Sequence, residues 1–212
     1  MSLKKLKVTP AQARIYLIFA ALFIALPSIA SLYKGHEGKF LVATGVVEDS
    51  PFKETVIYIN RHDFWGAHGV IINRPLRRRD LKEKNIDFPE TKWNVEMYEG
   101  GPVGFGKNNF LLLKAEAEDV PQGFVVTPVD AVRKKKPEFI EYLDKWKNKS
   151  PLRLFTGFSG WGVWQLNREI ARGAWAVIDY DEKLMFHTPR RQVWKKAMKK
   201  VLETAPAKEE GV

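Results

Sequence analysis

The stretch Gly157-Phe158-Ser159-Gly160-Trp161-Gly162 comes nearest to a catalytic arrangement in this chain. A serine set between a strand and a helix can attack an acyl group when glycines on both sides relieve the strained turn, in the order G-x-S-x-G. Trp161 stands where the last glycine is required, so the pattern fails by one residue. A tight turn with a docked Trp explains the segment without catalysis, although the helix it opens offers backbone N–H groups to an anion. His62, Asp63 and His68 are the candidate metal ligands. Their spacing across a turn supplies no third ligand at a helical or strand interval, so polar turn residues beside a hairpin are the better reading. Gly100-Gly101-Pro102 and Gly104-x-Gly106 form a second glycine-rich stretch. It is neither a phosphate-binding loop nor a dinucleotide fingerprint, because the spacing is wrong and no helix follows. The chain has no cysteine, which removes disulfides, thiolate zinc sites and a cysteine nucleophile. No catalytic residue, metal or cofactor is therefore assigned.

Short elements must position these residues. Lys39–Gly45, Thr55–Asn60, Gly69–Asn73, Asn109–Lys114, Gly123–Thr127, Leu152–Thr156, Ala174–Ile178 and Leu184–Phe186 read as strands, the second and third joined through the Asp63–Gly66 turn. Arg77–Lys84 is too charged for a core. A helix opening at Pro128 would bury Phe139, Leu143 and Trp146, with an interruption at Pro137. Val163–Arg172 is amphipathic and ends at Gly173, a C-cap glycine. Thr188-Pro189 caps a last helix, Arg190–Thr204, and residues 205–212 form a flexible tail. Strands and helices do not alternate regularly, which argues against a doubly wound parallel sheet.

The 212 residues are 45% hydrophobic and 12% aromatic, enough for one real core and too apolar for global disorder. The net charge is +10, but Lys4, Lys5, Lys7 and Arg14 supply four of those charges within an acid-free leader, leaving +6 for residues 31–212. That remainder is modest, and no recognition helix with base-reading side chains is visible, so sequence-specific nucleic-acid binding is not expected. After the leader (residues 1–14), Ile15–Tyr33 runs for 19 residues without a formal charge, ten of them Leu, Ile or Phe. A helix of that length reaches about 28 Å, close to a hydrocarbon core of about 30 Å. Two readings fit: a signal peptide cleaved after Ala30, or an uncleaved anchor. Hydrophobic length favours the anchor, and the basic leader places the amino terminus in the cytoplasm, with the domain on the periplasmic side.

Three ordered segments carry a family resemblance. Phe52-Lys53-Glu54-Thr55-Val56-Ile57-Tyr58-Ile59, His62, Gly66-Ala67 and Gly69-Val70-Ile71-Ile72-Asn73-Arg74-Pro75-Leu76 follow F-x-x-T-V-V-x-I…H…GA-x-GLI-x-NRPL. Gly100-Gly101-Pro102-Val103 follows GGPV. Gly157–Gly162 with Gln165-Leu166 and Glu169-Ile170 follows GYAGWGxGQLExEI, and Ala174-Trp175 comes after it. Over roughly residues 38–200 the chain resembles the YqgE/AlgH family. The resemblance implies an α+β fold with a bifurcated, mostly antiparallel sheet curled into a pseudo-barrel with flanking helices, here preceded by one hydrophobic helix. It also implies no established enzymatic activity, and some members are labelled transcriptional regulators. The chain departs from the pattern at Val163-Trp164, where small residues are usual, at Asn167 for Glu, and at His68 for an apolar residue. Ser159 stands where Ala is often found.

These readings converge on a non-enzymatic binding or accessory domain spanning residues 38–204, held at the membrane through residues 15–33, with an unknown protein or small molecule as partner. A regulator is the alternative, and it needs a cytoplasmic domain; a hydrolase using Ser159 or His62 ranks last. The expected contact site is a cleft where three strand ends meet. Asn73 and Arg74 supply polar groups, Gly100, Gly101, Pro102 and Gly160 allow close approach, Trp161 forms a wall, and Gln165 offers a polar contact. Fold-defining turns without a ligand are the competing account of the same residues.

Overall fold

The computed structural model describes residues 9, 10, 12, 14–20, 35–47, 49–77, 79, 80, 95–107, 109–114, 124–128 and 152–204. The expected helix carrying Phe139, Leu143 and Trp146, the tail at 205–212, and most of the Arg77–Lys84 segment lie outside the described residues. So do residues 21–33 of the apolar leader. Residues 14–20 are helical. Among the described residues no helix is long and apolar enough to cross a membrane.

Among the described residues, ten strands form two sheets. The first comprises β1 (Phe40–Ala43), β2 (Val56–Asp63), β3 (Gly66–Ile71), β9 (Ser159–Trp161) and β10 (Trp175–Ile178), in the order β10-β1-β2-β3-β9 with every pair antiparallel. The second comprises β4 (Pro75–Leu76), β5 (Val95–Glu99), β6 (Asn109–Lys114), β7 (Phe124–Pro128) and β8 (Leu152–Thr156), in the order β4-β5-β8-β6-β7. Its β5–β8 pair is parallel and the others antiparallel. Both sheets keep two edge strands, so the described residues form no closed barrel.

The first sheet is apolar on both faces because each face carries a helix. Phe40, Val42, Val56, Tyr58, Val70 and Ile72 pack with Val193 and Ala197 of α2 (Arg190–Thr204). Leu41, Ala43, Ile57, Ile59 and Ile71 point the other way, onto Leu166 of α1 (Gln165–Ala171) and the indoles of Trp161 and Trp175. Strands covered on both faces read as unbroken apolar runs, which is why β1 and the Val56–Ile59 half of β2 show no polar alternation. Gly173, at φ 75°, ends α1 as expected. Its N–H reaches the Ile170 carbonyl at 2.9 Å and the Ala174 N–H reaches Glu169 at 2.9 Å, the reciprocal pair of a Schellman cap.

Leu184–Phe186 is not a strand. Lys183–His187 forms a single π-helical turn. The Asp181 carboxylate accepts the N–H groups of Lys183 (2.7 Å) and Leu184 (3.2 Å), and Thr188 Oγ1 donates to the Lys183 carbonyl at 2.8 Å. The carbonyls of Met185 and Phe186 point at the guanidinium of Arg153, which is buried and donates to both. Arg153 also lies 3.5 Å from the carboxylate of Glu96, which accepts from Tyr98 Oη (2.7 Å) and Arg190 (2.8 Å). Burial pulls the Arg153 guanidinium down to about 10, so it stays charged at neutral pH, and the cluster ties β5 and β8 to the π turn and the start of α2. Three apolar residues in a row cannot distinguish a strand from a helical turn, and here a buried arginine made the choice.

The two sheets join where the chain passes from one to the other. β3 continues into β4, and β8 continues through Gly157 and Phe158 into β9. Gly100 and Gly101 lie against that second passage. A Cβ on Gly100 would sit 2.3 Å from the Gly157 carbonyl oxygen, and one on Gly157 (φ 70°) would sit 2.3 Å from the Gly101 carbonyl oxygen. Gly157→Ala therefore combines a left-handed backbone with a backbone clash and should destabilise by about 3 kcal/mol or more. Gly45→Ala, with open space around the new methyl, should be nearly neutral. Thermal unfolding of both variants checks this contrast, and equal midpoints would contradict it.

Candidate functional site

The residues expected to converge fall into two groups. At the sheet junction, the Gly100 carbonyl accepts the Ile71 N–H (3.0 Å) and the Ser159 hydroxyl (3.3 Å). The Arg74 carbonyl accepts the Glu99 N–H at 2.9 Å, which sets Asn73 and Arg74 beside the glycines. Asn73 closes a local clamp, accepting the Val56 N–H at 2.9 Å and donating to the Glu54 carbonyl at 2.8 Å. The Arg74 guanidinium reaches the Lys53 carbonyl at 3.3 Å and the Glu99 carboxylate at 3.6 Å. Gly101 packs its Cα against Phe158, and Pro102 is exposed beside Val103, which bridges to Phe158.

Trp161 and Gln165 belong to a second group centred on Glu169 of α1. One carboxylate oxygen accepts the indole N–H of Trp161 and that of Trp175, each at 2.8 Å. The other accepts the Gln165 amide at 2.9 Å, while Gln165 Oε1 takes the Gly162 N–H at 3.1 Å. Trp161 is thus a core residue held by a carboxylate. Gln165 is exposed, and its amide bonds the polypeptide itself. Gly160 lies on β9 opposite His68 and is exposed. The Gly162 N–H is occupied by Gln165, and α1 is only seven residues long, which removes the anion-binding expectation for this helix start.

Ser159 is not on a nucleophile elbow. It lies within β9, fully buried, with its hydroxyl directed at the Gly100 carbonyl. His62 and His68 face different surroundings. The His62 Nδ1 accepts the His36 N–H at 3.0 Å, and its side chain bonds Asn167 of α1. His68 Nδ1 lies 2.5 Å from Asn60 Oδ1, with its ring stacked on Phe158 at 4.2 Å. Among the described residues no group of three or more metal-ligating side chains is gathered.

One cluster was not anticipated. Phe64 and Trp65 at the β2–β3 turn meet Trp164 just before α1, with the Phe64 ring 5.2 Å from Trp65 and 5.8 Å from Trp164, both edge-on. Trp65 is 59% exposed, Trp164 46% and Val163 44%. Trp164 sits at φ 59°, a left-handed conformation that bulky residues seldom adopt. The signal in the sequence was the pair of bulky apolar residues at Val163-Trp164, where the family pattern has small ones.

The histidines make the fold acid-sensitive. Burial, then the nearby Arg61, lowers His68 to about 4 from its ordinary 6.5. His36 and His62 are lowered as well, chiefly by burial. Between these values the unfolded chain binds protons that the folded chain refuses, so stability is complete above about pH 6.5 and falls as the pH drops toward 4. The thermal midpoint should decline across that window, and His68→Leu should flatten the decline. A wild-type midpoint constant from pH 6.5 to 4 would contradict this.

The pattern of the AlgH-like family matches residues 40–205. A UPF0301 protein of Coxiella burnetii is 33% identical over 162 residues, covering 74% of this chain and 84% of the relative. One from Idiomarina loihiensis is 30% identical over 174 residues, covering 76% and 88%. Among solved structures, the AlgH protein from Pseudomonas aeruginosa superposes with a TM-score of 0.59 at 22% identity, covering 82% of this chain and 95% of that one. Protein DIP2367 from Corynebacterium diphtheriae gives 0.56 at 22% identity, covering 79% and 87%. Both structures share the fold. On the family match over residues 40–205 and the 33% identical relative, the chain belongs to the AlgH-like family.

Proposed function

We propose that this protein is a non-enzymatic binding or accessory module, tethered to the cytoplasmic membrane through residues 15–33, with its folded domain on the periplasmic side. The observation that supports the non-catalytic reading is the internal use, among the described residues, of the polar groups at the candidate site. Both Glu169 oxygens accept hydrogen bonds from within the fold, the Ser159 hydroxyl is buried against a carbonyl, and the His62 Nδ1 accepts a backbone N–H. A general base or nucleophile needs a group free to reach a substrate. The rim offered to a ligand is the stretch around β9 where Gly160 and Gln165 are exposed, with Pro102 exposed at the sheet junction. In this reading the two glycine segments serve the fold, and the rim they shape serves the partner.

The tether is supported by the uncharged length of Ile15–Tyr33 and the basic residues before it. Full-length chain should remain with cell membranes after washing at high salt and at alkaline pH, because lipid burial does not depend on charge. Recovery of a soluble chain beginning at Ser31 would replace the tether with a cleaved signal. Release of the intact chain by salt alone would contradict membrane insertion.

A further inference from the structure

The domain begins close to its unexplained aromatic cluster. Gly35 is pressed against β2: a Cβ there would lie 2.0 Å from the His62 carbonyl oxygen. His36 donates to the His62 ring, and Gly38 donates to the Ile59 carbonyl at 2.8 Å, so the entering chain runs antiparallel to the far half of β2. Phe64 and Trp65 follow His62 by two and three residues. From Tyr33, the last residue of the uncharged run, to Gly35 there are two Cα–Cα links, which cannot span more than about 8 Å. Whatever surface the apolar run enters, the hairpin tip is held near it.

The tip has a composition suited to one kind of surface. Trp65, Val163 and Trp164 expose apolar area contributed by two separate turns, and Phe64 joins the rings into one patch. Indoles concentrate at the membrane–water boundary because the ring is apolar while its N–H seeks polar headgroups. Arg168, one helical turn beyond Trp164, is exposed and carries a positive charge of the kind anionic headgroups attract. Val46, another exposed apolar residue, follows the opposite end of β1. It is separated from the tip by the length of β2, eight residues or about 25 Å.

We infer that Trp65, Val163 and Trp164 form a lipid contact that seats in the interfacial region of the bilayer and fixes the domain's orientation on it. This rests on the tether proposed above and adds a second, independent point of attachment. The left-handed Trp164 then has a reason: it turns an indole outward from the start of α1 at a position where a small residue would leave the surface bare.

The absence of native cysteine makes the test site-specific. Full-length Val163→Cys and Val46→Cys, each carrying an environment-sensitive fluorophore, are reconstituted into phosphatidylethanolamine–phosphatidylglycerol vesicles. Lipids bearing a nitroxide near the headgroup should quench position 163 strongly and leave position 46 bright. Adding Trp65→Ser and Trp164→Asn to the Val163→Cys chain should reduce that quenching while the chain stays in the vesicles at alkaline pH. Two equally bright labels on a retained chain would overturn the lipid contact and leave the tether standing. Shielding of position 163 from aqueous iodide without lipid quenching would identify a second copy of the chain as the occupant, and would also overturn it. Release of the wild-type chain at alkaline pH would remove the tether and this contact together.

Discussion

Two strands of backbone pass each other at Gly100–Gly101 and Gly157–Phe158 with no side chain between them, and the architecture turns on that contact. Any Cβ at Gly100, Gly101 or Gly157 would fall within 2.3 Å of the opposing backbone. Closeness lets the Gly100 carbonyl accept the Ile71 N–H from the first sheet while the Gly100 N–H donates to Thr156 of the second, at 2.9 Å. One residue thereby belongs to both sheets. Past it, β8 leaves the second sheet and β9 enters the first, carrying Trp161 to its place beneath α1. The Glu96–Arg153–Arg190 cluster, built on the buried Arg153, adds a second tie. It joins β5 and β8 to α2 with charge-assisted bonds.

Some of this was legible in the residues and some was not, for physical reasons. Arg190–Thr204 and Leu152–Thr156 appear with the expected bounds, since a proline cap marks the first and the apolar Leu152, Leu154 and Phe155 the second. β5 was missed because Glu96 and Glu99 interrupt its apolar pattern. Their partners, Arg153, Arg190 and Arg74, lie far along the chain, and no local window contains them. The parallel β5–β8 pairing is hidden for the same reason. β9 is too short to show a period and reads as a turn. At the site, the glycines announced close approach, and the structure gives it to backbone against backbone. The roles of Trp161 and Gln165 could not be read without Glu169, whose carboxylate gathers both.

The aromatic tip was overlooked because the residues around Asp63–Gly66 read simply as a turn. A turn explains Asp63 and Gly66; it does not explain the large indole of Trp65 placed in water. Set beside the chain entry at Gly35, that ring acquires a direction. The rigid junction and the Glu169 clamp hold the β9–α1 turn, and with it Trp164, against the hairpin tip. One end of the first sheet thus gathers the chain entry and the exposed rings, and the other end, with Val46, points away.

The proposed topology puts the amino terminus in the cytoplasm and the domain beyond the membrane. The direct measurement is labelling of full-length Val46→Cys in spheroplasts with a membrane-impermeant maleimide, before and after lysis. The account predicts complete labelling of intact spheroplasts, with no gain on lysis. Labelling that appears only after lysis would place the domain in the cytoplasm and contradict it.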